Sequence, residues 1–386
     1  MHVLMISLST PVLTERIGDA RQRHIDYAAR AGHITMIVYA ARAERLRPET
    51  LSPHLTVIPT HSRARLTFVW DAYRLAAQVH RERPADAITT QDPFGTGLVG
   101  WMLKRRFGLP LEVQSHSTFI DNPYFLRERA LNPWLNRLAK FIVRRADSCR
   151  VVNRYERDKY IALGLDPARV RVIPVPASLD RFLAPVPPQA IQALRERLGL
   201  RPEHRVALWA GRPVGFKNLP LLFQAVDRAR RAVPDMRLVL VGDFSKAEGL
   251  RQQAVALLGD VVIFAGALPH AELPPYYAMS QVYALSSYYE GMPRVSIEAA
   301  AAGLPIVSTN IAAVQDAVID GETGFLTRPD DPDDMDEKLA YLLQNPDLAR
   351  AMGERARRHV TQVFDRERLI EALVEGWQAT AALRRM

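Results

Sequence analysis

Short, near-continuous apolar runs recur along this chain with helical stretches between most of them. No other feature constrains the fold as much. The first run, His2–Leu8 (HVLMISL), shows no polar alternation, as a parallel strand covered on both faces requires. Runs at Ile34–Ala40, Leu55–Thr60, Ala87–Gln91, Leu109–Ser115, Ser148–Asn153 and Val170–Val175 predict further strands. Residues 183–189 (LAPVPPQ) concentrate proline and break the rhythm. It restarts at Val206–Ala210, Arg237–Val241, Val261–Phe264, Gln281–Leu285 and Pro305–Thr309. Alternation of this kind predicts an α/β protein with two doubly wound parallel sheets, and 386 residues suit two domains. The expected division is 1–182, 183–363 and a terminal amphipathic segment, 364–386. With no strand after it, that segment is expected to pack back on the first domain.

The formal charge is +9, but the arginines are dispersed, and neither zinc-ligand spacing nor an aromatic ribonucleoprotein signature is present. Nucleic acid is therefore not an expected partner. Cys149 is the one cysteine, which excludes an intrachain disulfide framework, and its apolar neighbours predict burial. No apolar run reaches 18 residues and the N-terminus lacks a signal-peptide pattern, so the expected location is the cytosol or the cytosolic face of a membrane.

Residues 281–303 (QVYALSSYYEGMPRVSIEAAAAG) carry the chemistry most clearly. A buried strand, Val282 to Leu285, runs into a turn at Gly291-Met292-Pro293, and a helix opens near Ser296. Glu290 falls just past the strand's carboxyl end, where open α/β sheets bind ligands. Glu298 falls in the first helical turn, where amides point outward and attract anions. A second loop, Gly211–Asn218, follows the first strand of the second half. It carries Arg212, a planar fork for phosphate oxygens, and Lys217, a compact charge. In the first half, His116 ends a strand. Gly18-Asp19 sits between a strand and a helix and reads equally as a phosphate corner or a plain turn.

Three further motifs have a structural reading beside a functional one. Gly95, Gly97 and Gly100 spell G-x-G-x-x-G, but on a late strand, with Gln114-Ser115-His116 where a ribose-binding acid belongs. Close helix packing accounts for them better than a dinucleotide. Asp330–Asp334 contains D-x-D, but it precedes a helix and reads as a cap. Residues 124–145 mix aromatics and leucines with Arg127, Arg129, Arg137, Lys140, Arg144 and Arg145. Such a segment fits an interfacial helix on anionic lipid or a covering helix of the sheet.

On these residues the chain resembles the group 1 enzymes of glycosyltransferase family 4, which have the GT-B fold. GRPVGFKNLPLLFQAV resembles the family's diphosphate-binding segment, and Glu290 with Glu298 its paired-glutamate motif. GLPIVSTNIAAVQDAVIDGETGFL, ARAGHITMIVYA, the His116 segment and RVRVIPVPASLDRF are also similar. The resemblance implies two Rossmann-like domains facing across a cleft. It also implies a retaining hexosyltransferase-type reaction from a nucleoside-diphosphate sugar, with no metal or cofactor. Arg212 and Lys217, after Gly211, would hold the diphosphate, and Glu298 the ribose. Glu290, with the amides of Gly291, Met292 and Arg294 around Pro293, would address the sugar. His116 would lie by the reacting sugar, and the Gly18 loop would close on the phosphates. The acceptor would be a sugar or lipid-linked molecule of polysaccharide or glycolipid synthesis, with peripheral membrane contact through the basic first half. Asn218 departs from the family's glycine after the phosphate lysine, Val175-Pro176 from its Asn-Gly, and Gly18-Asp19 from its double glycine. A sugar-nucleotide epimerase, a phosphorylase and a non-catalytic member of the fold are the competing readings.

Overall fold

His2–Ser7 is fully buried along its length, and its neighbours on both sides run parallel to it. In the computed structural model, which describes residues 1–14 and 19–385, that strand is the centre of one of two α/β units. The first unit comprises residues 1–177 and 366–386, and the second residues 178–365.

The first unit holds strands β1 (His2–Ser7), β2 (His33–Val38), β3 (Glu49–Ser52), β4 (Leu55–Pro59), β5 (Ala87–Thr90), β6 (Leu111–Ser115), β7 (Ser148–Val151) and β8 (Val170–Val172), in the order β3-β4-β2-β1-β5-β6-β7-β8. All pairings are parallel except β3 with β4. Strand order reverses between β1 and β5. The expected apolar runs become strands to within one or two residues at most ends. The exception in kind is β3, an exposed antiparallel edge strand (ETLS) with no apolar run to announce it.

Gly97 and Gly100 lie in the helix Gly95–Phe107. A Cβ added at Gly100 would stand 2.6 Å from Leu111 Cδ1 and from Thr90 Cγ2. One at Gly97 would stand 2.9 Å from the Asp92 carbonyl and from Ile142 Cγ2. Gly100 lets the helix lie close on β5 and β6, and Gly97 lets it lie close to Ile142 of the helix Asn132–Val143. Cys149 is fully buried. The terminal helix Arg366–Ala382 packs on the helix Asp19–Ala31, with Trp377 edge-on to Tyr27 at 5.9 Å.

The second unit holds β9 (Arg205–Ala210), β10 (Met236–Val241), β11 (Val262–Gly266), β12 (Val282–Leu285), β13 (Ile306–Thr309) and β14 (Gly324–Thr327), all parallel, in the order β11-β10-β9-β12-β13-β14. Its reversal point is between β9 and β12. The division falls after Ala177 rather than after residue 182. The reason is that Leu179 and Phe182 are buried in the second unit's core with Tyr276 and Tyr277. Within the proline-rich stretch, Pro188 opens the helix Pro188–Arg197. Asp331 caps the helix Pro332–Gln344, accepting from the Asp333 and Asp334 amides. Arg328 pairs with Asp331 and Asp334, and Arg228 with Asp333.

Candidate active site

The loops after β9 and β12 meet at the reversal point of the second sheet, where crevices form in open α/β sheets. They are fastened to one another. The Tyr288 amide donates to the Phe216 carbonyl at 2.8 Å, and Ser286 Oγ donates to the Lys217 carbonyl at 2.8 Å. Thr309 Oγ1, at the end of β13, donates to the Ser287 carbonyl at 2.7 Å. Through this framework Lys217 Nζ reaches Glu290 Oε1 at 2.6 Å, and Ser287 Oγ donates to the same oxygen at 2.8 Å. Both side chains of the ion pair are only 10% exposed.

The β9 loop is shaped by its backbone. Gly211 has φ +154° and its amide donates to the Val241 carbonyl at 2.9 Å. Gly242 lies beneath it, and a Cβ there would run into the Gly211 carbonyl oxygen. Asn218 has φ +44°, a left-handed conformation that asparagine tolerates better than most residues. That geometry explains why asparagine can stand where the resembling family has glycine. Arg212 is exposed, and among the described residues its side chain makes no hydrogen bond or ion pair.

Glu298 sits in the helix Arg294–Ala301, with its carboxylate buried. His270 Nε2 lies 2.8 Å from Oε1, Arg294 approaches the same oxygen at 3.8 Å, and the Tyr277 hydroxyl lies 3.5 Å from Oε2. Burial, and then Glu298, push the Tyr277 phenol well above its ordinary value, so it stays an O–H donor. His270 and Tyr277 escaped the sequence reading, because a histidine 28 positions from its carboxylate leaves no spacing signal. Of the amides assigned to the sugar, that of Arg294 donates to the Met292 carbonyl at 2.9 Å and is engaged inside the turn. Gly291 and Pro293 are buried there and Met292 is half-buried.

His116 belongs to the other unit, at the carboxyl end of β6, with Nε2 3.0 Å from Gln91 Oε1. Burial, and then Arg150, Arg23 and His24, hold its pKa well below the ordinary value, so the ring is neutral. Gly18 lies outside the described residues. The structure thus gathers Lys217, Glu290, Glu298 and Arg294 with the Gly211–Arg212 loop in one unit, and carries His116 on the other.

The profile of the family described as glycosyl transferases group 1 matches residues 190–359, and that of the glycosyl transferase 4-like domain matches residues 22–176. The chain belongs to the group 1 glycosyl transferases. Among its relatives, a D-inositol 3-phosphate glycosyltransferase of Segniliparus rotundus is 30% identical over 294 residues. That match covers 74% of this chain and 64% of the relative. A GDP-mannose-dependent alpha-(1-6)-phosphatidylinositol monomannoside mannosyltransferase of Mycolicibacterium smegmatis is 33% identical over 216 residues, 54% of this chain and 56% of the relative. The chain thus spans less than two thirds of the length of either relative. Among solved structures, Anabaena HepE (Alr3699) in complex with UDP and glucose superposes with a TM-score of 0.77 at 21% identity, over 98% of this chain and all of that one. Sucrose-phosphate synthase of Thermosynechococcus elongatus superposes with 0.78 at 24% identity, over 99% of both. The fold is GT-B, two Rossmann-like α/β units.

Proposed function

We propose that the protein is a retaining glycosyltransferase. In this reading it moves a sugar from a nucleoside-diphosphate sugar to a sugar or lipid-linked acceptor, without metal or cofactor, in glycolipid or polysaccharide synthesis. The observation that carries this is the Lys217–Glu290 pair at the reversal point of the second sheet, with caged Glu298 one helical segment away. The names of the relatives support a glycolipid or small glycoside setting.

The chemistry follows from charge. Breaking the anomeric C–O bond leaves an oxocarbenium-like sugar and a diphosphate of growing negative charge. Arg212 and Lys217 answer that charge; a preorganised contact of this kind contributes about 3 kcal/mol to the barrier. Glu298 accepts the ribose hydroxyls, and Glu290, fixed by Lys217 and Ser287, accepts sugar hydroxyls. Neutral His116 serves as a hydrogen-bonding group rather than a cationic acid. No second carboxylate is assigned as a covalent nucleophile, so transfer runs on the face the diphosphate leaves. Asp331, Asp333 and Asp334 serve as cap and arginine partners, and Asp330 accepts from Asn218 Nδ2, so no residue of this D-x-D stretch is assigned to the reaction.

Leu131 and Trp134 are 61% and 64% exposed, and the Arg137 guanidinium lies 4.7 Å from the Trp134 ring centroid. Apolar groups exposed beside cations support peripheral contact with anionic lipid at the start of the helix Asn132–Val143. Among the described residues no helix is long and apolar enough to cross a membrane.

The test is thermal-shift screening against UDP-, GDP- and ADP-sugars, followed by NMR of the product anomer. A ligand that binds only the folded state raises Tm. Stabilisation by one nucleotide class and a product with the donor's anomeric configuration are expected. An inverted anomer overturns retention, and a new sugar nucleotide formed without acceptor overturns transfer in favour of epimerisation.

A further inference from the structure

The first sheet buries an unusual set of polar groups. Glu112 and Gln114 share one face of β6, being two residues apart, and Arg150 on β7 pairs in register with Gln114. All three are at most 2% exposed. Arg150 donates through Nε to the Ile173 carbonyl at 2.9 Å, through one terminal nitrogen to the Pro174 carbonyl at 2.8 Å, and through the other to Gln114 Oε1 at 2.8 Å.

A guanidinium only donates, so Gln114 must turn its oxygen to Arg150. Its Nε2 then faces acceptors, and the geometry agrees. That nitrogen lies 2.9 Å from Thr89 Oγ1 and 3.2 Å from Glu112 Oε1. Glu112 Oε1 also accepts from Thr89 Oγ1 at 3.1 Å and from Trp377 Nε1 at 2.8 Å. The oxygen end of the Gln114 amide is therefore assigned by a guanidinium that can only donate, and its nitrogen end faces the Glu112 carboxylate.

The assignment propagates. Gln91 Nε2 lies 3.4 Å from the same Gln114 oxygen, which fixes the Gln91 amide with its NH₂ toward Gln114. Its carbonyl oxygen then faces His116 Nε2 at 3.0 Å. A carbonyl only accepts, so the proton of His116 must be on Nε2.

We infer that Gln91 and Gln114, locked by Arg150 and Glu112, are positioning residues that hold His116 as the neutral Nε2–H tautomer and leave Nδ1 as a hydrogen-bond acceptor. On the function proposed above, Nδ1 is the atom that receives a substrate hydroxyl. The tautomer itself does not depend on that function.

Long-range ¹H–¹⁵N correlation NMR of the ligand-free protein tests this, with the His116 ring identified by its loss in His116→Asn. The native ring should show a pyrrole-type Nε2 and a pyridine-type Nδ1. Gln91→Met removes the acceptor and should move the tautomer ratio by about ten-fold, the worth of one ordinary hydrogen bond. Gln114→Met should shift the same signals from one side chain further away. A native Nδ1–H ring overturns the inference, and so does a Gln91→Met ring identical to the native one. If Gln114→Met does not fold by circular dichroism, the native and Gln91→Met spectra decide alone. A native Nε2–H ring in a protein that transfers no sugar would sink the proposed function and leave the relay standing.

Discussion

Lys217 Nζ lies 2.6 Å from Glu290 Oε1 across 73 residues of sequence, because β9 and β12 are neighbours at the point where strand order reverses. The cation proposed to hold the diphosphate is thus already partnered before any donor arrives. Donor binding must share Lys217 between carboxylate and phosphate, and the exposed Arg212 supplies a second positive charge.

Lys217→Ala removes the ammonium from a nearly buried carboxylate and should destabilise the second unit by about 3 kcal/mol, as breaking such pairs does. Lys217→Ala/Glu290→Ala should recover much of that loss while staying inactive. Denaturant unfolding of the two variants checks the first point and a transfer assay the second. Full activity in either variant would overturn the role of Lys217.

Glu298→Ala removes the acceptor at the centre of the His270, Tyr277 and Arg294 cluster. Nucleoside diphosphate binding should weaken by about 2 kcal/mol, the range for a hydrogen bond to a charged group, or roughly 30-fold in Kd. Isothermal titration calorimetry reads this directly. His270→Ala should weaken binding less, since it removes one partner of Glu298 and leaves the carboxylate in place.

Gly242→Ala places a methyl against the Gly211 carbonyl. The obstacle is backbone, so the Gly211–Arg212 loop must move. Donor affinity should fall together with Tm. Gly108→Ala, where a Cβ has nothing within 4 Å, has φ +65° and should cost stability only, about 1 kcal/mol. Paired melting and binding curves separate the two outcomes.

Stability should fall on both sides of neutral-to-mildly-acid pH, for different reasons. Burial pushes the Glu156 carboxyl up to about 8, so the folded state keeps a proton that the unfolded state releases. Stability from this group is therefore fully present below 4.5 and is lost progressively as pH rises from 4.5 through 8. Burial, and then Arg23, hold His24 at about 4, so the unfolded state gains a proton as pH falls from 6.5 toward 4 and stability is lost there too. Glu156→Gln should flatten a Tm-against-pH curve above 6.5 and steepen it between 4.5 and 6.5, where the Glu156 and His24 effects oppose each other.

Strands with long apolar runs, such as β1, β2 and β10, were legible because burial on both faces removes polar alternation from the sequence. β3 and β14 were not, since each is a four-residue edge strand with part of its surface in solvent. Lys217 and Glu290 could be placed on the same sheet edge from sequence, but their contact depends on which strands are neighbours. Strand runs do not encode that order. The Glu112–Gln114–Arg150 network was hidden for a further reason. Its polar residues sit inside segments that read as strands, and Trp377 joins from 265 positions away.

Trp377 also sets the order in which the protein can be finished. The chain leaves the first unit after Ala177 and re-enters it only at Arg366, and Trp377 then covers Tyr27 and caps Glu112. A ribosome adding ~5–20 residues per second needs about 10–40 s to travel from Ala177 to Trp377. Throughout that interval the half made first waits with the part of its sheet face beside the helix Asp19–Ala31 uncovered, while the half made second can close. Of the two units, the one whose synthesis starts earlier is the last to be completed.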